Sequence, residues 1–421
     1  MLDVSARAGD PNFPPNLAIA PSCSASGPAR QQEDNEDNDD ARQDIAGFGI
    51  AGRTWEAAYL LRDYLLPPST SSSPSTTLFD PPCPLFDSDQ PSDGEASGAA
   101  IRAQQTVLEL GSGTGFLSLA IAPSLRRRRT KTTLIMTDLD NVCPLLEDNL
   151  ARARERWSRT AERDLSATDL AEHGDLTANP RASPSPDVLV RPLPWGDRRS
   201  LLRLLEVERL EPDIILASDL IYFEFLYGPL LRTLIALTEP RAASPLSKKT
   251  GAESPVVIFS YKVRSLTREE PFWRAFGRWF AFDPVQIGRR RRPSPSPDPA
   301  STTDPARPPV DVSDDPPVAT KETVFWSRYG SNASFSASSE EGFSARSIGD
   351  DDDELYVFVC RRHPSTFGAL GSLAQNEQSG DETLYSEVSD KELLLGLGKA
   401  EGHAAGADRF EEILLANLEW D

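Results

Sequence analysis

Histidine and cysteine are scarce, with three and four among 421 residues. Cys23, Cys83, Cys143 and Cys360 lie far apart without a C-x-x-C pair, and His173, His363 and His403 are equally scattered. That spacing excludes a recognisable zinc site or disulfide framework and fits a reducing compartment. No run approaches the ~20 apolar residues that span a bilayer, and no basic-then-apolar signal opens the chain. A soluble, intracellular protein is therefore expected, cytoplasmic with the nucleus as the alternative. Positive charge is also short: 44 Lys and Arg stand against 65 Asp and Glu, a net charge of −21. Self-repulsion makes a nucleic acid a poor default partner.

Proline, by contrast, is plentiful at 36 residues and concentrated in a few stretches. Residues 1–44, with an acidic run at Glu33–Asp40, hold too few apolar side chains to offset the entropy of ordering and are expected to be disordered. Similar composition recurs at Pro67–Gly98, Ser158–Asp187, Pro240–Pro255, Arg289–Pro317 and Ser331–Asp353. Ordered patterns resume after each, so these are insertions into one domain spanning 45–363. Residues 364–421 again read as mostly disordered, apart from a short helix at Asp408–Leu418. The basic runs Arg126–Arg129 and Arg289–Arg292 and the acidic run Asp350–Glu354 are best read as solvated.

Between the insertions the pattern alternates. Thr106–Leu110, Thr133–Thr137, Val188–Val190, Ile214–Ala217 and Val256–Tyr261 read as short buried strands. Helical spacing follows most of them, at Gly115–Leu125, Val142–Trp157, Leu226–Leu237 and Phe272–Phe280, and another helix precedes them at Trp55–Leu66. Pro284–Ile287 and Leu355–Cys360 are late strands with no helix between them. The expected fold is α/β: a seven-stranded, mostly parallel sheet with helices on both faces and an antiparallel edge hairpin interrupted by a long insertion.

The sharpest local signal is Glu109-Leu-Gly111-Ser-Gly113-Thr-Gly115 between a strand and a helix. Glycines there let the backbone turn tightly and approach a ligand at the switch point of an open sheet. A dinucleotide fingerprint would need a third glycine where Phe116 stands, and the Gly-Lys-Ser/Thr of a phosphate loop is absent. With diphosphate cofactors disfavoured, Glu109 before the loop and Asp138 at the end of the second strand suit a nucleoside carrying a cationic amino-acid tail. An acid at Asp138 can accept bonds from both ribose hydroxyls, and Asp140 competes with it for that place.

The segment Val107–Gly115 resembles the first motif of class I S-adenosylmethionine-dependent methyltransferases, with their Rossmann-like fold. A closer similarity is to the family 16 protein-lysine methyltransferases, which methylate translation elongation factors and chaperones. It is carried, in order, by Thr54-Trp-Glu-Ala-Ala-Tyr59, Thr137-Asp-Leu139, Leu193-Pro-Trp-Gly196, Ala217-Ser-Asp-Leu-Ile-Tyr222 and Ser260-Tyr-Lys-Val-Arg264. The resemblance implies S-adenosylmethionine as cofactor, with Trp55 packed at its site and the loop residues Glu109, Gly111, Ser112 and Gly113 around its amino-acid part. It further implies Asp138 on the ribose, Trp195 beside the adenine and Ser218 lining the pocket. Asp219 and Tyr222 then become the catalytic pair, Tyr222 as wall and hydrogen-bond partner of a lysine amine, Asp219 as the charge that orients it. The partner implied is a protein carrying the target lysine, met by a monomer. A methyltransferase of a small molecule or RNA, or a non-catalytic cofactor-binding scaffold, is the alternative. The Ser218–Tyr222 segment lacks the N-P-P-Y pattern of adenine or glutamine acceptors, and the glycines and Asp138 that a scaffold would lose are present.

Overall fold

A computed structural model describes residues 41–66, 77–85, 104–126, 131–169, 187–240, 254–291, 323–331, 355–369 and 388–416. Most of the N-terminal segment, the acidic runs and nearly all of Arg126–Arg129 lie outside the described residues, as do the remaining parts of the five insertions. Within those insertions, strand β1 (Thr77–Asp80) and the far end of the helix over Cys143–Asp169 are nonetheless regular.

Seven strands form the main sheet: β2 (Gln104–Leu110), β3 (Lys131–Asp138), β4 (Asp187–Pro192), β5 (Ile214–Ser218), β6 (Val256–Lys262), β7 (Phe280–Pro284) and β10 (Leu355–Arg362). Their order is β4-β3-β2-β5-β6-β10-β7. The first five are parallel, and β10 runs antiparallel to both of its neighbours. The four inner parallel strands, β3, β2, β5 and β6, are apolar on both faces. Leu108, Ile135, Ile215 and Phe259 enter one core, while Val107, Leu134, Leu216 and Ile258 enter the other, as period-two alternation in a doubly covered sheet requires. Helices α2 (Glu56–Leu65), α3 (Phe116–Arg126) and α4 (Cys143–Asp169) supply the second of these cores. Helix α6 (Glu224–Leu237) and helix α7 (Leu266–Trp279) supply the first, with α5 (Arg198–Leu202) adding Leu201. A four-residue helix, α1 (Ile45–Phe48), precedes these and is capped by Asp44, whose side chain accepts from the Gly47 amide. Among the described residues no helix is long and apolar enough to cross a membrane.

Two expectations need correction. The strand read at Pro284–Ile287 straddles a break, because β7 ends at Pro284 and β8 (Gln286–Arg291) joins a second antiparallel sheet with β1 and β9 (Thr323–Arg328). Burial parity marks the change: Phe280 and Phe282 enter the first core, Val285 and Ile287 the second. A one-residue slip turns a strand over in this way. The C-terminal region is the larger difference. Helix α8 (Asp390–Leu395) opens with a complete capping box between Ser389 and Glu392 and closes on left-handed Gly396. Helix α9 (Arg409–Ala416) follows where a short helix is expected at Asp408–Leu418, and Val388, Leu393, Phe410 and Ile413 are buried in the same core as Trp273. Arg232 donates to the Val388 carbonyl at 2.8 Å and pairs with Asp390 at 2.7 Å, and Arg409 pairs with Asp283 at 2.5 Å. The segment is a strap over α6 and α7, built from sparse apolar anchors in otherwise polar chain.

Candidate active site

Strand order reverses at β2, whose successors β3 and β4 lie on one side and β5 and β6 on the other. In an open α/β sheet the ligand crevice lies outside the carboxyl ends of such strands. The glycine loop leaves β2 at this point. Gly111 and Gly113 adopt φ of 66° and 54°, a region that L side chains avoid. Space is limiting as well: a Cβ at Gly111 would stand 2.8 Å from Leu220 Cδ2 and 3.0 Å from Trp195 Cζ2.

Polar groups beneath the loop fix its shape. The Ser112 amide donates to the Thr137 carbonyl at 2.8 Å, its hydroxyl donates to the Glu109 carbonyl at 3.2 Å, and that hydroxyl accepts from the Thr137 amide at 3.1 Å. Glu109 is buried, and its Oε2 accepts from both the hydroxyl and the amide of Ser118 in the first turn of α3. Burial pushes the Glu109 carboxyl up to about 7, against the lowering effect of the Ser118 bonds. Glu109 and Ser112 therefore face inward and hold the loop, instead of presenting their side chains above it.

Asp138 is turned the other way. Its Oδ2 accepts from the Gly113 amide at 2.8 Å and its Oδ1 from the Leu139 amide at 2.7 Å. Burial raises its pKa and these two bonds oppose the rise. Asp140 is exposed on the following turn. Trp195 sits after β4, where the Gly196 amide donates to Thr233 Oγ1 at 2.7 Å, and its ring centroid lies 6.2 Å from that of Tyr222. Tyr222 is half-buried. Burial first, then the charges of Asp138 and Asp219, raise its pKa, so its hydroxyl stays protonated.

At the other border, Trp55 donates its indole N–H to the Ile50 carbonyl at 3.2 Å, and the Ala51 carbonyl lies 3.0 Å from where a Gly113 Cβ would be. Thr54 and Thr114 join this segment to the loop through their hydroxyls at 2.9 Å, and Asn149 donates to the Thr114 carbonyl at 2.8 Å. Ser218 ends β5 and its hydroxyl accepts from Ser260 at 3.1 Å.

Asp219 departs from expectation. Arg264 donates to both of its oxygens, Nη1 to Oδ1 at 2.7 Å and Nη2 to Oδ2. The Asp219 side chain is only 2% exposed. Burial opposes the Arg264 charge, but the carboxylate overrides this and holds its pKa above the usual value. The Asp219 charge is thus already matched, and no free carboxylate is left there to draw in an amine. Arg264 is the residue that sequence reasoning missed, although it closes the Ser260–Arg264 segment singled out by resemblance.

Sheet order, glycine loop and acid-bearing second strand together place a ligand crevice at the carboxyl end of β2. The chain matches the lysine methyltransferase family over residues 34–177, which include the loop and Asp138 and stop short of Trp195, Asp219 and Tyr222. It is also similar to the protein-lysine N-methyltransferase EFM6 of Saccharomyces cerevisiae, 25% identical over 228 residues that cover 53% of this chain and 68% of that protein. Two solved structures share less. The CurJ carbon methyltransferase is 13% identical with a TM-score of 0.22, over 41% of this chain and 34% of the other. The rRNA methyltransferase aviRa from Streptomyces viridochromogenes is 16% identical with a TM-score of 0.25, over 52% and 87%.

Proposed function

We propose that this enzyme transfers a methyl group from S-adenosylmethionine to the side-chain amine of a lysine in a translation factor or chaperone-type protein, in the cytoplasm. The reading rests on one arrangement: Asp138 bonded to Gly113, with Trp195 and Leu220 against Gly111 and Tyr222 beside Trp195, at the carboxyl ends of β2 and β5. The residues fit the cofactor. An ionised carboxylate offers about four acceptor positions. Asp138 gives two to the Gly113 and Leu139 amides, which leaves two for a vicinal diol. Gly111 and Gly113 keep the loop free of side chains where the amino-acid part would lie, with Trp55 at the near border and Trp195 at the far one. The working domain runs from about Ala41 to Ala416 and includes the C-terminal strap.

When bound, S-adenosylmethionine supplies a methyl group already activated on a sulfonium, so alignment contributes most of the rate. The chain has to present an uncharged amine, because an ammonium with pKa ~10.4 has no lone pair. Partial burial beside Trp195 and Tyr222 lowers that pKa, and their rings accept the cationic product. Tyr222, held protonated, offers its oxygen to an amine N–H. Its rigid seat between Trp195 and Phe223, whose centroid lies 5.0 Å away, sets the approach.

Purified full-length chain incubated with labelled S-adenosylmethionine and a cell lysate should label a protein at lysine, and replacing that lysine by arginine should abolish the label. Label in RNA or small molecules with none in protein would overturn the acceptor assignment.

A further inference from the structure

The pair of Arg264 and Asp219 has no part in the reaction as described above, yet it is the most constrained feature of the acceptor side. Asp219 has φ of 59°, left-handed backbone at a non-glycine residue, immediately before Leu220 and Tyr222. Such a conformation persists only where surrounding bonds over-determine it. Three groups do so here. The Asp219 amide donates to the Ser260 carbonyl at 2.9 Å, and both carboxylate oxygens are held by the Arg264 fork. Arg264 is fixed in turn: Nη1 also donates to the Lys262 carbonyl at 3.2 Å, and its backbone amide donates to Glu269 Oε2 at 3.2 Å. On its other side the guanidinium carbon lies 5.6 Å from the centroid of the Trp55 ring.

A buried ion pair is a weak source of stability, because desolvation offsets most of the attraction; what a two-pronged pair does supply is a fixed angle between its elements. The elements joined are the end of β6, the Asp219–Tyr222 segment and the Trp55 segment that rests on the glycine loop. We propose that Arg264 is a positioning residue for methyl transfer, a clamp that holds Leu220 against Gly111 and Tyr222 at the acceptor side while its other face seats Trp55 at the cofactor side. This rests on the methyltransferase reading and adds to it the residue that aligns its two halves. Asp219 then acts through Arg264 and touches no substrate.

The test uses the full chain with Arg264→Gln, Arg264→Lys, Asp219→Asn and the Arg264→Gln/Asp219→Asn double variant. Two quantities are measured: S-adenosylhomocysteine affinity by calorimetry, and single-turnover methylation of the protein identified from lysate. A clamp lowers the transfer rate at least ten-fold in each of the Gln and Asn variants while changing the dissociation constant less than three-fold. The double variant should be no slower than the worse single one, since the two residues act as a unit. Arg264→Lys keeps a cation in the buried site and guards against simple misfolding, but lacks the fork and should stay at least five-fold slow. Affinity falling in step with rate would make Arg264 a cofactor ligand and overturn the clamp. So would rate losses that multiply in the double variant, or full activity in Arg264→Lys. If the wild-type chain binds S-adenosylhomocysteine yet methylates no protein, the functional reading and the clamp fail together; an active wild type with unaffected variants removes the clamp alone.

Discussion

Phe410 lies in the short helix expected within an otherwise disordered tail, so its substitution tests whether that helix belongs to the core. Its ring is stacked on Trp273 with centroids 4.5 Å apart and planes 12° from parallel. It meets Tyr261 at 6.0 Å, Phe358 at 6.3 Å and Tyr356 at 6.5 Å, and is 4% exposed. Truncation to alanine forfeits about 1.5–3 kcal/mol of burial and about 0.5–1.5 kcal/mol of aromatic pairing. The cavity left beside Trp273 adds to this, so Phe410→Ala should cost about 3–5 kcal/mol, a large share of the ~5–15 kcal/mol that holds a typical domain folded. Urea denaturation of the full chain measures it as a shift in midpoint at unchanged slope. The effect should also reach the site. Tyr261 donates to Glu269, and Glu269 accepts the amides of Arg264 and Ser265, the latter at 3.0 Å. A loss below about 1 kcal/mol, or hydrogen exchange over α8 and α9 as fast in the wild type as in an unfolded peptide, would refute the view that the strap is part of the core.

Asp138→Ala should weaken S-adenosylhomocysteine binding by about 1.5–3 kcal/mol, read by calorimetry, through loss of charge-assisted bonds; unchanged affinity would move the ribose role to Asp140. Tyr222→Phe should slow single-turnover methylation about ten-fold, equivalent to ~1.4 kcal/mol, with little change in cofactor affinity. The wild-type rate should rise with pH as the acceptor lysine loses its proton, and a flat profile would remove the amine assignment. Glu109 has a folded pKa of about 7 against an ordinary 4.5, so the folded state holds its proton more tightly than the unfolded one. Its contribution is therefore fully present below pH ~4.5 and is lost as pH rises through ~7, an effect of about 3 kcal/mol. Glu109→Gln, which can still accept from Ser118, should lack that fall, so the wild-type minus variant stability difference should drop between pH 5 and pH 8 in denaturation experiments; parallel curves would contradict it.

What was legible in the sequence follows from how local each constraint is. The loop could be read because three glycines between a strand and a helix announce left-handed turns by themselves, and Asp138 because it ends the strand that pairs beside them. The inward direction of the Glu109 side chain is also written in its strand. Strand alternation puts it on the Val107 face, under α3, and opposite Leu108 and Leu110. The strap's start is also written out, as Ser389-x-x-Glu392 ahead of Leu393–Leu395, but its anchors Leu393, Ala400 and Ala407, ahead of the helix that carries Phe410, are spaced too widely for composition to mark them.

Asp219 is a different kind of miss. Its charge is decided by a guanidinium 45 residues further on, brought near only because β5 pairs with β6 at Ser218 and Ser260. No periodicity encodes which acid that guanidinium faces. The cofactor side is fixed by backbone conformation at neighbouring positions, so short motifs report it. The acceptor side is fixed by side chains meeting across strands, so the same motif, D-x-x-Y, can carry either a free carboxylate or a clamped one. The distinction bears on mechanism. A free Asp219 would favour the protonated amine by its charge, whereas one neutralised by Arg264 leaves the amine to lose its proton by desolvation beside Trp195 and Tyr222.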